Sequence, residues 1–120
     1  MCIFSKVPSP VLVFDTAGHL VDANEAGLQY HDSASVAGIK ETLQGSELWK
    51  TLIKYVNMAL SGVSGVVQYS FILHGEKRWV KAAVNPIKDE KGTLIGVSVL
   101  EKDVTLKRKM LSELKQMNMV

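Results

Sequence analysis

The chain has 120 residues, one cysteine and a formal net charge of +2, with 47% hydrophobic and 22% charged residues. That length fits one domain with its own core, held without disulfide or metal, and the small charge gives no electrostatic case for nucleic acid or an anionic membrane. Cys2 alone excludes an intrachain disulfide and points to a reducing compartment. No apolar run nears the about 18 residues of a transmembrane helix, and Met1–Lys6 is too short for a signal peptide, so a domain in the cytosol, or the cytosolic portion of a membrane-bound sensor, is expected.

Pro8 and Pro10 hold the start of the chain extended ahead of an apolar strand, Val11–Asp15. Thr16-Ala17-Gly18 reads as a tight turn and His19–Ala23 as the second strand of a hairpin. Asn24 is a good N-cap for a short helix over Glu25–Tyr30. Ser33–Gly45 mixes serine, glycine and scattered apolar residues and holds one or two helical turns. Glu47–Leu60 is the clearest helix so far: Leu48, Leu52, Tyr55, Val56 and Ala59 fall on one stripe, with Ser46 as N-cap and Gly62 as C-terminal stop.

Three strands follow, Val66–His74, Lys77–Ile87 and Thr93–Lys102, joined by His74-Gly75-Glu76 and Asp89–Gly92, both rich in turn residues. Pro86 sits near a strand end, where a missing ladder donor is tolerated. At Asp103-Val104-Thr105 the pattern changes to a charged helix. The fold class is α+β: one five-stranded antiparallel sheet, short helices and one longer helix on one face, and a C-terminal helix.

Several of these features resemble the PAS sensory domain family across nearly the whole chain. Asn24-Glu25-Ala26 is similar to the family's Asn-x-Ala opening of its first helix. Tyr30 and Gly38 sit where the family has its Gly-Tyr-Ser and Leu-Gly features, with Gln29 in place of glycine. Arg78-Trp79-Val80 with Asn85-Pro86-Ile87 resembles the penultimate strand, and Asp89–Gly92 with Leu94–Val99 the final hairpin. Asp103-Val104-Thr105 matches the Asp-Ile-Thr signature that joins such domains to a signalling helix. The resemblance implies a PAS domain over 1–105 and a signalling helix, the start of a coiled coil, over 106–120.

Strand alternation sorts side chains into two sets. One holds Gln68, Ser70, Ile72, Val80, Ala82, Val84, Leu94, Gly96, Ser98 and Leu100; the other holds Val67, Tyr69, Phe71, Trp79, Lys81, Ala83, Ile95, Val97 and Val99. Periodicity leaves open which set faces the helices. Similarity to flavin-binding members implies that the first set faces inward. Its Gln68, Ser70 and Ser98 are then the few polar groups that a small-ligand site needs in an apolar wall, or groups bonded to water, backbone or one another. The implied candidate pocket is Leu52, Tyr55, Val56, Gln68, Ser70, Val80, Ala82, Val84, Leu94 and Ser98. Tyr69, Phe71, Trp79, Ile95 and Val97 would then form an apolar outer face covered by a second copy, helped by a segment before Pro8.

Haem-binding relatives use a histidine on the longer helix, and Glu47–Leu60 has none. His19, His31 and His74 lie in or beside turns and read as solvated. Cys2 is far from the position of the reactive cysteine in flavin photoreceptors, which disfavours covalent flavin. A non-covalent small ligand remains, with Trp49, Tyr55 and Tyr69 as possible stacking rings, although core packing is their commoner role. There is no phosphate loop, no Gly-x-Ser-x-Gly and no Cys-x-x-Cys, and the inward set holds neither carboxylate nor histidine, so no enzyme is expected. Lys88–Lys91 and Lys107-Arg108-Lys109 read as solvated surface, not a nucleic-acid site.

Asp103 or Thr105 is expected to cap the last helix, where Leu106, Met110, Leu114 and Met117 form one stripe. A short isolated helix is marginal in water and needs the sheet or a twin. The resemblance therefore implies a sensory and dimerisation module with Asp103 and Thr105 as signal relay. It would be a homodimer covalently linked to an output domain outside these residues. First choice for the parent is a two-component sensor histidine kinase, then a diguanylate cyclase or transcription regulator; the rivals are a free-standing small-molecule carrier and a small acid/base enzyme.

Overall fold

The computed structural model describes residues 9–43 and 45–118. Cys2, Pro8 and the side chain of Met117 lie outside what is described. The chain opens with β1 (Val11–Phe14) and β2 (Leu20–Ala23). Their turn is closed by the Asp15 carboxylate, which accepts the backbone N–H of Ala17 at 3.0 Å and of His19 at 2.9 Å. Asn24 then starts α1 (Glu25–Tyr30): its Oδ1 accepts the N–H of Gly27 at 2.7 Å and that of Val11 at 2.9 Å. One side chain thus caps the helix and ties it to β1.

The mixed stretch resolves into α2 (Val36–Leu43), and α3 spans Glu47–Leu60 as its stripe predicts. Ser46 Oγ caps α3 by accepting the Trp49 N–H at 3.1 Å. The meander follows as β3 (Gly65–Leu73), β4 (Glu76–Lys88) and β5 (Leu94–Asp103), and α4 runs over Thr105–Asn118. The sheet order is β2-β1-β5-β4-β3, with every neighbouring pair antiparallel. β1 therefore lies against β5 in mid-sheet, and β3 is a free edge. Gly96 makes the β1–β5 approach possible, since a Cβ there would sit 2.7 Å from the Phe14 carbonyl oxygen.

The core lies between this sheet and α2 and α3. Leu52, Val56 and Ala59 of α3 meet Val80, Ala82, Val84, Val97 and Val99, all completely buried. No helix among the described residues is long and apolar enough to cross a membrane.

The sheet face expected to point inward is corrected on two strands. On β4 the expected residues, Val80, Ala82 and Val84, are inside, but on β3 they are Val67 and Tyr69, and on β5 they are Val97, Val99 and Glu101. Residues directly opposite in an antiparallel pair share a face. The two-residue turn His74-Gly75, both with positive φ as a type I′ hairpin requires, pairs Tyr69 with Val80 and Val67 with Ala82. Even numbers on β4 thus lie beside odd numbers on β3. Between β4 and β5 the loop alone would keep the numbering in phase, with Lys88 opposite Leu94. A bulge then makes Ile95 the extra residue, so that Ile87 meets Gly96 and Val84 meets Val99.

Tyr69, Phe71 and Val97, expected on the outer face, are therefore corrected to the core or its margin. Gln68 and Ser98, expected inside, are corrected to the outer face, opposite Lys81 and Asn85. Of the expected outer set, Trp79 lies there half-buried and Ile95 is exposed.

Candidate functional site

Beyond the apolar centre of the sheet, the chain buries a polar cluster where the end of α1, β3 and the tail of β5 converge. His31 follows α1, and Glu101 continues the inward series Val97, Val99 along β5. Both are nearly inaccessible to solvent, Glu101 completely so. His31 Nε2 lies 2.7 Å from Glu101 Oε1, and the Tyr69 hydroxyl donates to Glu101 Oε2 at 2.7 Å. Burial pushes the Tyr69 phenol well above its ordinary pKa, reinforced by the Glu101 charge and hydrogen bond. His31 stacks on Phe71 with ring centroids 5.5 Å apart, and Tyr30 packs edge-on against both rings. The other imidazole nitrogen, Nδ1, is buried and has no hydrogen-bond partner among the described residues.

Two residues further along β5, Asp103 gathers a second cluster. Its Oδ2 accepts from the Tyr30 hydroxyl at 2.7 Å and from Arg78 Nε at 2.9 Å, while Oδ1 accepts the Thr105 backbone N–H at 2.9 Å. Burial alone would raise the Asp103 pKa, but the hydrogen bonds from Tyr30, Thr105 and Arg78 outweigh it and hold it at about 2. The Tyr30 phenol is raised far above its usual value by burial first and by Asp103 second.

Asp103 thus bonds the first N–H of α4. Thr105 does not cap the helix: its Oγ1 accepts the Trp79 N–H at 2.8 Å, while the Val104 N–H donates to the Trp79 carbonyl at the same distance. The junction is stitched to β4. One turn on, Arg108 lies 3.9 Å above the Trp79 ring, with Lys77 Nζ at 4.7 Å, and Arg108 also donates to Gln68 Oε1 at 3.1 Å. Leu106, just before this clamp, and Met110, Leu111 and Leu114, past it, are all exposed.

A cavity of about 320 Å³ opens at the free edge of β3, between it and the α2–α3 connection. Its apolar wall is Leu43, Leu48, Phe71 and Ile72; Thr42, Ser46 and Ser70 add hydroxyl groups, and His31 links it to the buried cluster. Glu47 stands at its rim, 3.5 Å from Lys50.

Of the pocket residues read from sequence, only Ser70 lines this cavity. Leu52, Val56, Val80, Ala82 and Val84 are buried in the core, with Tyr55 packed on it. Gln68 binds Arg108 on the outer face, Ser98 is half-buried there, and Leu94 lies at the far end of β5 before the bulge. His31, expected in solvent, is buried, whereas His19 and His74 are exposed, with side-chain exposures of 70% and 71%. The expectation that no carboxylate or histidine faces inward is overturned by Glu101 and His31. The signal was present in sequence: Val97, Val99 and Glu101 share one alternation, so an inward Val97 carries Glu101 in with it. Among the described residues no three His, Cys, Asp or Glu gather to hold a metal ion.

Several solved structures share the fold. The PAS domain of Bordetella pertussis BvgS is 21% identical, with a TM-score of 0.60 over 98% of this chain and 93% of that one. The PAS domain of the fruit-fly ELK potassium channel is 22% identical, with a TM-score of 0.63 over 85% of this chain and 91% of that one. Vibrio cholerae VqmA is 15% identical, with a TM-score of 0.71 over 88% of this chain but 50% of that one. At such identities the likeness speaks for the fold alone. No curated protein matches the chain in sequence. A family described as the PAS fold matches residues 4–109, and with the sheet order and helices above, the chain belongs to that family as a PAS sensory module.

Proposed function

We propose that this chain senses a small molecule in the cavity beside β3 and passes its occupancy to α4, which pairs with the α4 of a second copy. The observation that carries this is the position of Asp103. Its one carboxylate holds the end of α1 through Tyr30, β4 through Arg78 and the first N–H of α4. Tyr30 precedes His31, which lines the cavity, so a shift of the α1 end reaches the helix start through two hydrogen bonds.

The exposed stripe Leu106, Met110 and Leu114 supports pairing of α4, since such a helix is marginal alone and gains from a twin. The parent we favour is a sensor histidine kinase, with α4 leading toward the output domain; this rests on the likeness of Asp103-Val104-Thr105 to the family's junction signature. No catalytic role is assigned to the chain.

Two measurements test this. Sedimentation and native mass of the freshly purified chain are expected to show a dimer that Leu106→Glu with Leu114→Glu converts to monomer; a monomeric parent chain would remove the pairing. In the full-length protein Asp103→Ala is expected to uncouple output from stimulus, and an unchanged response would remove Asp103 from the relay.

A further inference from the structure

Where α4 leaves the sheet, the fold gathers positive charge that the sequence scatters. α4 carries Lys107, Arg108, Lys109 and Lys115 against one acid, Glu113, in a chain whose net charge is only +2. The Lys107-Arg108-Lys109 run is expected to be solvated, but Arg108 turns back onto β4. Its guanidinium carbon lies 3.9 Å from the Trp79 ring centroid, and one of its nitrogens donates to Gln68 Oε1 at 3.1 Å. Lys77 Nζ lies 4.7 Å from the centroid of the same ring. Two cations from different elements are thus held on one indole, where they repel each other. Lys77, Trp79, Arg108, Lys109 and Ser112 line a surface cleft of about 390 Å³. Arg108 and Ser112 also line a second cleft of about 300 Å³, which extends to Leu111 and Lys115. Lys77, Arg108, Lys109 and Lys115 are all exposed, so a solute reaches them directly from solvent.

We propose that this cleft binds a small phosphorylated molecule, a phosphate monoester, and that its occupant clamps α4 to the sheet. Arg108 is the central contact. A guanidinium presents its N–H donors as a planar fork that fits phosphate oxygens in pairs, and here Trp79 and Gln68 already fix the plane of that fork. Lys77 and Lys109 add charge from either side, and the Ser112 hydroxyl adds a donor. An anion between the cations of β4 and α4 replaces their repulsion by attraction to both elements. Glu76 reaches Lys109 Nζ at 3.5 Å, but an exposed pair of this kind is weak and gives little resistance to a phosphate. The charges converge on a cleft that one small molecule fills, whereas a nucleic-acid strand calls for a groove that follows its backbone. The site is separate from the β3-edge cavity and does not depend on the reading of that cavity as the sensory pocket.

The test titrates the unmodified chain with phenyl phosphate and with phenol at one ionic strength. The indole N–H of Trp79 is the reporter, and Trp49, which packs on Phe14 with ring centroids 5.9 Å apart, is the internal control. Phenyl phosphate is expected to shift Trp79 saturably, to leave Trp49 in place and to bind at least about tenfold tighter than phenol. Arg108→Gln is expected to weaken phenyl phosphate about tenfold, while Lys54→Gln, at an exposed position of α3, leaves it unchanged. Bound phenyl phosphate is also expected to slow amide exchange in the first turns of α4. Equal binding of phenol, or equal weakening by the two variants, overturns the phosphate site. A saturable shift with unchanged exchange overturns the clamp and leaves the site. Parallel titrations with an oligothymidylate and with mixed phosphatidylcholine–phosphatidylserine vesicles cover the other anions. If either of these moves Trp79 while phenyl phosphate does not, the small-molecule ligand is overturned. No response of Trp79 to any probe overturns the whole proposal.

Discussion

The middle of the sheet and its α1-facing end solve the same burial problem in opposite ways. Under α3, Leu52, Val56, Val80, Ala82 and Val84 are completely buried and wholly apolar, so each contributes by leaving water and filling space. At the other end, Glu101 is just as inaccessible, yet it is an acid held by a histidine and a phenol. Stability alone favours the first solution, because an apolar replacement of a buried ionic cluster is often neutral or better. The polar end is therefore where to look for a purpose other than holding the fold.

The largest effect expected from that contrast is at Glu101. Glu101→Ala strands both the His31 ring and the Tyr69 hydroxyl in the interior, and removal of one partner from a buried pair costs about 3–5 kcal/mol. Replacing all three together, His31→Phe, Tyr69→Phe and Glu101→Leu, should return stability to the parent value or exceed it by about 1–4 kcal/mol. By contrast, Leu52→Ala should cost about 2–5 kcal/mol with no apolar rescue of this kind. Urea unfolding of the four proteins decides the matter. A triple variant as unstable as Glu101→Ala would mean that the cluster is needed for folding, and the contrast between the two ends would collapse.

Much of the fold was legible because local signals agree with it. Asn24 and Ser46 are good caps and do cap, and the stripe in Glu47–Leu60 predicts α3 to the residue. The five strands and their handover to α4 at Asp103–Thr105 follow from turn residues and period. The facing of the strands was not legible from period alone, because it depends on how pairing carries parity across turns. The His74-Gly75 turn could have been counted from sequence, whereas the bulge at Ile95 could not, since it shows only in how β5 pairs with β4. That single unseen residue moved Glu101 inside, and with it the partner that draws His31 out of solvent. The site was missed on two counts, the parity of the His74-Gly75 turn, which carries Tyr69 inside, and the bulge at Ile95, which carries Glu101 inside.

The next effect is a pH dependence carried by Asp103. Its folded pKa of about 2 lies below the ordinary 3.8. The folded state therefore favours the carboxylate, and the stabilisation is fully present above about pH 4. It declines as pH falls toward 2 and the carboxylate takes up its proton. The difference corresponds to about 2 kcal/mol, of which the Tyr30, Arg78 and Thr105 hydrogen bonds are the source. Asp103→Asn should be less stable than the parent at neutral pH, and the gap should close as the pH approaches 2. Equal gaps at pH 7 and pH 2.5 would show that the carboxylate charge contributes nothing to the junction, and the relay would lose its physical basis.

The smallest effect separates two ways of holding α4. Beyond the stitched junction, the helix meets the sheet through Arg108 on Trp79 and Gln68, with Lys109 reaching Glu76 at 3.5 Å. A cation over an exposed ring is worth about 0.5–1 kcal/mol, and an exposed ion pair less. Arg108→Ala should thus leave global stability within about 1 kcal/mol of the parent. It should, however, speed amide exchange through the first turns of α4, because this helix is too short to persist unsupported. If exchange quickens along the whole of α4, the sheet clamp is what holds the helix. If it quickens only near Arg108 while the turn around Leu114 keeps its protection, a second helix is holding the far end. The same variant at increasing protein concentration then discriminates further, since protection by a twin rises with concentration and protection by the sheet does not.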